Sequence, residues 1–247
     1  MTEHSRPSRF AVVIPLYNHG KTIGRVVQGA QELNLPVFVV DDGSTEPVEE
    51  LLKPYEGITL IRHGENSGKG AALLTGFKAA AGEADFAITL DADGQHNPAD
   101  AHELMRAVRP GQRALVASKR QGMLDDKSIP WTSRFGRKFS NFWVWFAGGP
   151  RLSDSQCGFR IYPIDEVLKM KIKARRFQFE VEVLVLANWL GMEVAEVPVS
   201  VVYPPGSERI SHFRPLVDFL RNSYTFTRLI AMRIFLPAPL RRRLITK

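Results

Sequence analysis

At 247 residues and 44% apolar composition, the chain can bury a core of α/β-domain size, which excludes disorder as its main state. Its single cysteine, Cys157, excludes an intramolecular disulfide, and the opening MTEHSRPSRF lacks the apolar stretch of a secretory signal, so a cytoplasmic setting is expected. The net charge of +7 is concentrated at one end: Arg209 to Lys247 holds nine Arg or Lys against Asp218 alone, a sum of +8, which leaves −1 on the rest. That asymmetry argues for a near-neutral body with a basic tail and against a nucleic-acid-binding protein.

Residues 10–16 (FAVVIPL) form an apolar run before a turn, and 19–33 then place Ile23, Val26, Val27, Ala30 and Leu33 on one helical face. The run 36–40 (PVFVV) ends in Asp41-Asp42-Gly43-Ser44, with an acidic helix start near Glu46 to Leu52. The unit repeats as 58–62 (ITLIR), a turn at 64–70 and a helix from about 70 to 81, then as 84–90 (ADFAITL), a helix from about 98 to 108 and a run at 114–118. Apolar strands alternating with helices predict a parallel sheet covered on both faces, with ligands outside the carboxyl ends of the strands. Past residue 120 the regularity fades into a loop, an aromatic helix-like segment at 133–146, an apolar helix at 177–191, a strand at 194–202 and one or two amphipathic helices over 214–235. The tail then ends with Pro237, Pro239 and three arginines, and its apolar stretches are interrupted by Arg228 and Arg233, so no membrane-crossing helix is expected.

The polar clusters fall at the predicted strand ends. Asp91-Ala92-Asp93-Gly94-Gln95-His96 leaves a buried strand at a turn, where two carboxylates suit a hard divalent cation bridging phosphates. Taken alone the same residues read more readily as an Asp-Gly turn with solvated carboxylates. Asp41-Asp42-Gly43-Ser44 is likewise a turn or a carboxylate seat for a base N–H or ribose hydroxyl. Asn66-Ser67-Gly68-Lys69-Gly70 resembles a phosphate loop but lacks the Ser or Thr after the lysine, which argues against an NTPase.

Together with Pro15-Leu16-Tyr17-Asn18, Gly158-Phe159-Arg160 and Phe179-Glu180-Val181-Glu182, these motifs occur in the order seen in glycosyltransferase family 2. The chain resembles most its dolichyl- or polyprenyl-phosphate sugar synthase branch, over roughly residues 10–212. The resemblance implies a GT-A fold, a nucleotide-diphosphate sugar donor, Mg²⁺ or Mn²⁺, inversion at the anomeric carbon and a lipid-linked acceptor. By motif position Pro15, Tyr17, Asn18, Asp41 and Asp42 would serve the nucleoside, Lys69 the donor phosphates, and Asp91, Asp93 and Gln95 the metal and diphosphate. Arg120 and Arg134 sit where that branch carries two arginines for the acceptor phosphate, a geometry suited to guanidinium forks. Asp154 is open between orienting the acceptor, acting as a base and capping the following turn, and Glu180 or Glu182 is implied as a wall of the site. Residues 203–212 depart from the branch pattern, offering Arg209 and Ser211-His212 where a basic turn normally covers the diphosphate.

The expected organisation is a catalytic domain over 8–210 and a basic amphipathic tail over 211–247 that lies on an anionic membrane surface at the inner face, or packs on the body or a second subunit. Two other readings stay open at this point. One is transfer to a hydroxyl of a lipid, polyene or glycolipid, with Asp154 as base; the other is a nucleotidyltransferase or a silent nucleotide-sugar-binding module.

Overall fold

A computed structural model describes residues 7–109, 111–121, 131–201 and 215–247, with side chains from 136 onward in the fifth helix and from 217 onward in the eighth. Strands β1 (Phe10–Leu16), β2 (Val37–Asp41), β3 (Ile58–Arg62) and β4 (Phe86–Thr89) alternate with helices α1 (Gly20–Gln31), α2 (Val48–Leu52) and α3 (Lys69–Ala80). A short 3-10 turn, Pro98–Asp100, leads into α4 (Ala101–Arg106), followed by β5 (Leu115–Arg120) and α5 (Trp131–Phe146). The rest comprises β6 (Arg160–Pro163), α6 (Ile164–Lys169), α7 (Phe179–Trp189), β7 (Val194–Val199), α8 (Pro215–Phe235) and α9 (Ala238–Ile245).

Among the described residues one sheet runs in the order β3-β2-β1-β4-β6-β5-β7. The predicted parallel pairing holds from β3 through β4 and again between β5 and β7. It fails at β6, which enters antiparallel between β4 and β5. Periodicity does not announce this strand, because its four residues are all buried and include an arginine and a proline. The alternation of β1 sends Val12, Ile14 and Leu16 to one face, against Ile23 and Val27 of α1. Ala11 and Val13 face the other core, which contains Phe77 of α3, Phe179 and Leu184 of α7, and Phe226 and Leu229 of α8.

The C-terminal segment is therefore part of the body's packing. Phe226 and Leu229 are buried, and Arg228 donates at 2.5 Å to the fully buried Glu182 of α7. Glu182 also accepts the amides of Lys173 and Ala174 at 3.2 and 2.7 Å, so one carboxylate ties α7, the preceding loop and α8. Helix α9 occupies a stretch for which no element is expected from the sequence. Pro237 and Pro239 stand at its entry, where the ring's fixed φ is compatible with a helix and the missing N–H has no intrahelical role. The tail then seats Ile245 in the core, lays Arg241 over the Trp189 ring at 4.4 Å and bonds the Lys171 amide to the Ile245 carbonyl at 2.7 Å.

The packing of α8 makes a direct prediction. Replacing Leu229 with Ala should lower unfolding free energy by roughly 2–5 kcal/mol, the range for a buried leucine truncated in a close-packed core. Urea denaturation of the full chain measures it, and a loss under about 0.5 kcal/mol would show that α8 does not share the core.

Candidate active site

A cleft of about 610 Å³ opens where β1, β2 and β4 end, and Tyr17, Asn18, Asp42, Lys69, Asp91 and Asp93 contribute to its lining. Its first wall is a pair of interlocked turns. Asn18 adopts φ 51, a left-handed conformation that asparagine tolerates better than most residues. From there its Oδ1 accepts the Thr45 amide at 2.9 Å, while its own N–H donates to Ser44 Oγ at 2.9 Å. Gly43, at φ 74, cannot be replaced without strain, because a Cβ there would lie 2.6 Å from the backbone of Glu65.

The adjacent carboxylates Asp41 and Asp42 take different roles. Asp41 is fully buried, accepts the Ser44 amide at 2.9 Å and pairs with Arg62 Nε at 3.3 Å. It does not line the cleft, so the structure makes it a support for the turn rather than the nucleoside contact expected from the sequence. Asp42 does line the cleft. Its Oδ1 accepts the Ser67 amide at 3.0 Å and bonds His63 Nδ1 at 2.8 Å, and its Oδ2 accepts the Gly68 amide at 2.7 Å.

The second wall is an ion chain. Lys69 Nζ lies 2.6 Å from Asp91 Oδ1 and 2.5 Å from Glu180 Oε1, joining the start of α3 to the end of β4 and to α7. Burial opposes the charged form of each, yet Lys69 is held protonated and Asp91 is held ionised, below its ordinary pKa, because each supplies the other's counter-charge. Gly158 makes the approach possible, since a Cβ there would meet Asp91 Oδ2 and Lys69 Nζ at 2.6 Å. Lys69 was expected at the donor phosphates; in this structure it is the counter-ion of Asp91 and Glu180.

Asp93 has the opposite tendency. Its pKa is raised, first by burial and then by the charge of Asp91, while the Gln95 amide, 3.0 Å from its Oδ1, holds the carboxylate in place. Gln95 thus reaches this turn through its backbone, and its side chain does not line the cleft. A divalent cation fits this setting, because it would relieve the mutual repulsion that Lys69 only partly offsets. Among the described residues no set of three or more His, Cys, Asp or Glu is arranged as a metal cage, so a hard ion held at this turn would take the rest of its shell from substrate or water oxygens. Imidazole His96 is held toward its neutral form by burial, against the pull of Asp91 and Asp93, and it also senses the charge of Arg120.

Arg120 belongs to a second charge cluster. Its Nε and Nη2 meet Asp154 Oδ2 and Oδ1 at 2.6 and 3.0 Å, a bidentate pair with the carboxylate fully buried. Arg137 of α5, itself buried, brings Nη1 within 3.9 Å of the same oxygen. Asp154 also accepts the Gln156 amide at 3.2 Å, and its own N–H donates to Glu196 Oε1 at 3.0 Å. Of its three open roles, orienting the arginines and capping the turn are what this geometry serves. Arg134 lies on the first turn of α5 with its side chain outside the described residues, and Arg209 lies outside them altogether. Arg137 was not singled out from the sequence, although its spacing of three from Arg134 puts the two on one helical face.

Further residues came only with the structure. Asp218 and Arg221 of α8 line the cleft and pair at 3.2 Å, and Arg176 holds Asn66 Oδ1 at 2.7 Å. Arg160 is completely buried and donates to the carbonyls of Cys157, Glu180 and Ser155, each at 2.7 Å. It is the strut that sets the 155–158 loop against α7.

Comparison with known proteins adds an independent line. The model of Glycosyl transferase family 2 matches residues 11–168. A UDP-N-acetylglucosamine–dolichyl-phosphate N-acetylglucosaminyltransferase of Methanococcus voltae is 30% identical, over 78% of this chain and 85% of that protein. The human dolichyl-phosphate beta-glucosyltransferase is 26% identical, over 83% of this chain and 71% of its own. Among solved structures, glucosyl-3-phosphoglycerate synthase from Mycobacterium tuberculosis, in complex with Mn²⁺, uridine diphosphate and glucosyl-3-phosphoglycerate, superposes with a TM-score of 0.65. That match covers 93% of this chain and 81% of the other at 20% identity, and it establishes a shared GT-A-like fold.

The strut is testable. Arg160→Met keeps the bulk but removes three buried hydrogen bonds donated by a charged group, each worth about 1.5–3 kcal/mol, so urea denaturation should record a loss of at least ~3 kcal/mol. A loss below ~1 kcal/mol would show that water or a neighbouring donor replaces the guanidinium.

Proposed function

Since the chain belongs to glycosyl transferase family 2, we propose that it transfers a sugar, with inversion and with Mg²⁺ or Mn²⁺, from a nucleoside-diphosphate sugar to a polyprenyl phosphate at a membrane surface. The observation that carries this reading is the separation of charge along one rim. At one end stands the Asp91-Asp93 turn, with Asp91 held ionised by Lys69, suited to a cation and a diphosphate; at the other stand Arg120 and Arg137 around Asp154, suited to a phosphate monoester.

In this reading Pro15, Tyr17, Asn18 and Asp42 seat the nucleoside, and Asp91 and Asp93 hold the cation, with Gln95 fixing Asp93. When bound, the cation would neutralise charge that develops on the departing nucleoside diphosphate. The acceptor phosphate takes the guanidinium groups now shared with Asp154, joined by Arg134 from the same helical face. Its oxygen forms the new bond to the anomeric carbon as the bond to the diphosphate breaks on the opposite side. A phosphate monoester is already anionic at neutral pH, so the step needs no strong general base. This agrees with an Asp154 engaged by Arg120 and by the Gln156 amide. The relatives named for dolichyl phosphate support the same acceptor class.

The test is turnover: the purified chain, given UDP- and GDP-sugars in turn with a polyprenyl phosphate and Mn²⁺, should release nucleoside diphosphate and form a lipid-linked sugar. Asp93→Asn should abolish it, because an amide is a poorer ligand for a hard divalent ion. Near-normal turnover by that variant, with its fold intact, contradicts the metal assignment.

A lipid acceptor requires access to the bilayer. Among the described residues no helix is long and apolar enough to cross a membrane. However, α5 exposes Phe142, Trp145 and Phe146, and α8 exposes Phe219, Leu220 and Tyr224, with the rings of Phe139 and Phe219 in contact at 6.0 Å between the two helices. This outward stripe and the basic residues around it suit peripheral attachment to the anionic inner face of a membrane. It leaves the inward stripe of α8 to the core. Full-length protein should float with anionic liposomes and be partly released by high salt, whereas the Phe142→Asp/Leu220→Asp double variant should remain in the soluble fraction. Equal flotation of the two rules out this face as the attachment surface.

A further inference from the structure

Behind the donor cleft lies a second cavity of about 440 Å³. Its floor is apolar, formed in part by Leu74 of α3 and Ile172. Around it stand Lys78, Lys171, Arg175 and Lys247, with the hydroxyl residues Ser67 and Thr75, and no Asp or Glu contributes to the lining. Among the described residues Lys78, Lys171 and Arg175 form no ion pair, while Lys247 Nζ is anchored on the Leu168 carbonyl at 2.7 Å. All four are solvent-exposed, so water and salt screen their mutual repulsion, and an anion bound among them would gain several direct charge contacts at once. Several positive charges, a guanidinium fork and two hydroxyls match a multiply charged oxyanion better than a single carboxylate.

The wall between this cavity and the donor cleft is one chain segment thick. Ser67 lines the rear cavity and its neighbour Gly68 lines the front; Arg175 lines the rear and Arg176 the front. That segment hangs on Asp42, which accepts the Ser67 and Gly68 amides at 3.0 and 2.7 Å. His63 completes the link, bonding Asp42 through Nδ1 at 2.8 Å and Thr75 Oγ1, on the rear wall, through Nε2 at 3.0 Å. Any occupant of the rear cavity therefore rests on the same backbone that shapes the nucleoside seat.

We propose that the cavity lined by Lys78, Lys171, Arg175 and Lys247 is a second, metal-independent binding site for a phosphate-bearing anion, a phosphate ester or diphosphate, set back to back with the donor cleft. Because the two sites share the 63–68 segment, an anion that changes nucleotide affinity in front must have its own affinity changed by the nucleotide by the same factor.

Inorganic pyrophosphate is the probe, titrated calorimetrically into the full chain in EDTA. The expected result is saturable binding that weakens about tenfold or more in Lys78→Glu/Lys171→Glu, which loses two charged contacts, and that persists in Arg221→Ala, which alters only the front cleft. Binding of uridine diphosphate with Mn²⁺ by the double variant shows that its front cleft is intact. If the glutamate pair fails to fold, Lys78→Gln/Lys171→Gln reads the same quantity: weakened binding supports the site and undiminished binding overturns it. The proposal is also overturned if wild-type protein takes up no pyrophosphate at millimolar concentration. Loss of binding in Arg221→Ala, with the lysine variants unaffected, overturns it as well, since the anion would then occupy the donor cleft.

Discussion

Lys69 joins Asp91 and Glu180 through contacts of 2.6 and 2.5 Å, and the arrangement of the site follows from that half-buried ion chain. A lone charge in such a place is costly, whereas a cation between two carboxylates is held protonated and holds Asp91 ionised. The contact pins α3, the end of β4 and α7 to one point. It also demands that the 155–158 loop pass close by, and Gly158 allows this by presenting no Cβ toward Asp91. Arg160 then fixes that loop through three backbone carbonyls, one of them the carbonyl of Glu180, so the same residue of α7 serves both the ion chain and the strut.

The second cluster follows the same rule of compensated burial. Asp154 is fully buried and bears a bidentate Arg120, with Arg137 near it, and its loop hangs from Glu196 of β7. An incoming phosphate would present oxygens to guanidinium groups already orientated by a carboxylate, so little side-chain ordering would remain to be done on binding. In the proposed function Asp154 would hold the place that the acceptor's charge takes on binding.

Helix α8 does two jobs with two faces. Inward, Phe226 and Leu229 complete the core and Arg228 meets Glu182, while Asp218 and Arg221 reach the cleft. Outward, it adds Phe219, Leu220 and Tyr224 to the exposed aromatic face of α5. The C-terminal segment is thus divided around the helix rather than along the chain: one stripe of α8 belongs to the body and the other is exposed.

The sequence by itself determined the local elements and the kind of chemistry. Apolar runs located β1 and β3 to the residue, spacing located the buried face of α1, and the Asp91-Ala92-Asp93 turn fell at a strand end that lines the cleft, because each signal is contained within a few neighbouring residues. Tertiary structure alone decided which charges meet. Lys69 and Glu180 are 111 positions apart, Arg120 and Asp154 are 34 apart, and no local pattern specifies those pairings. It also decided that Asp41 supports a turn while Asp42 lines the cleft, that β6 runs antiparallel, and that α9 starts at two prolines. Each of these outcomes is set by what lies across the fold, where burial requires every polar group to find a partner regardless of its distance along the chain.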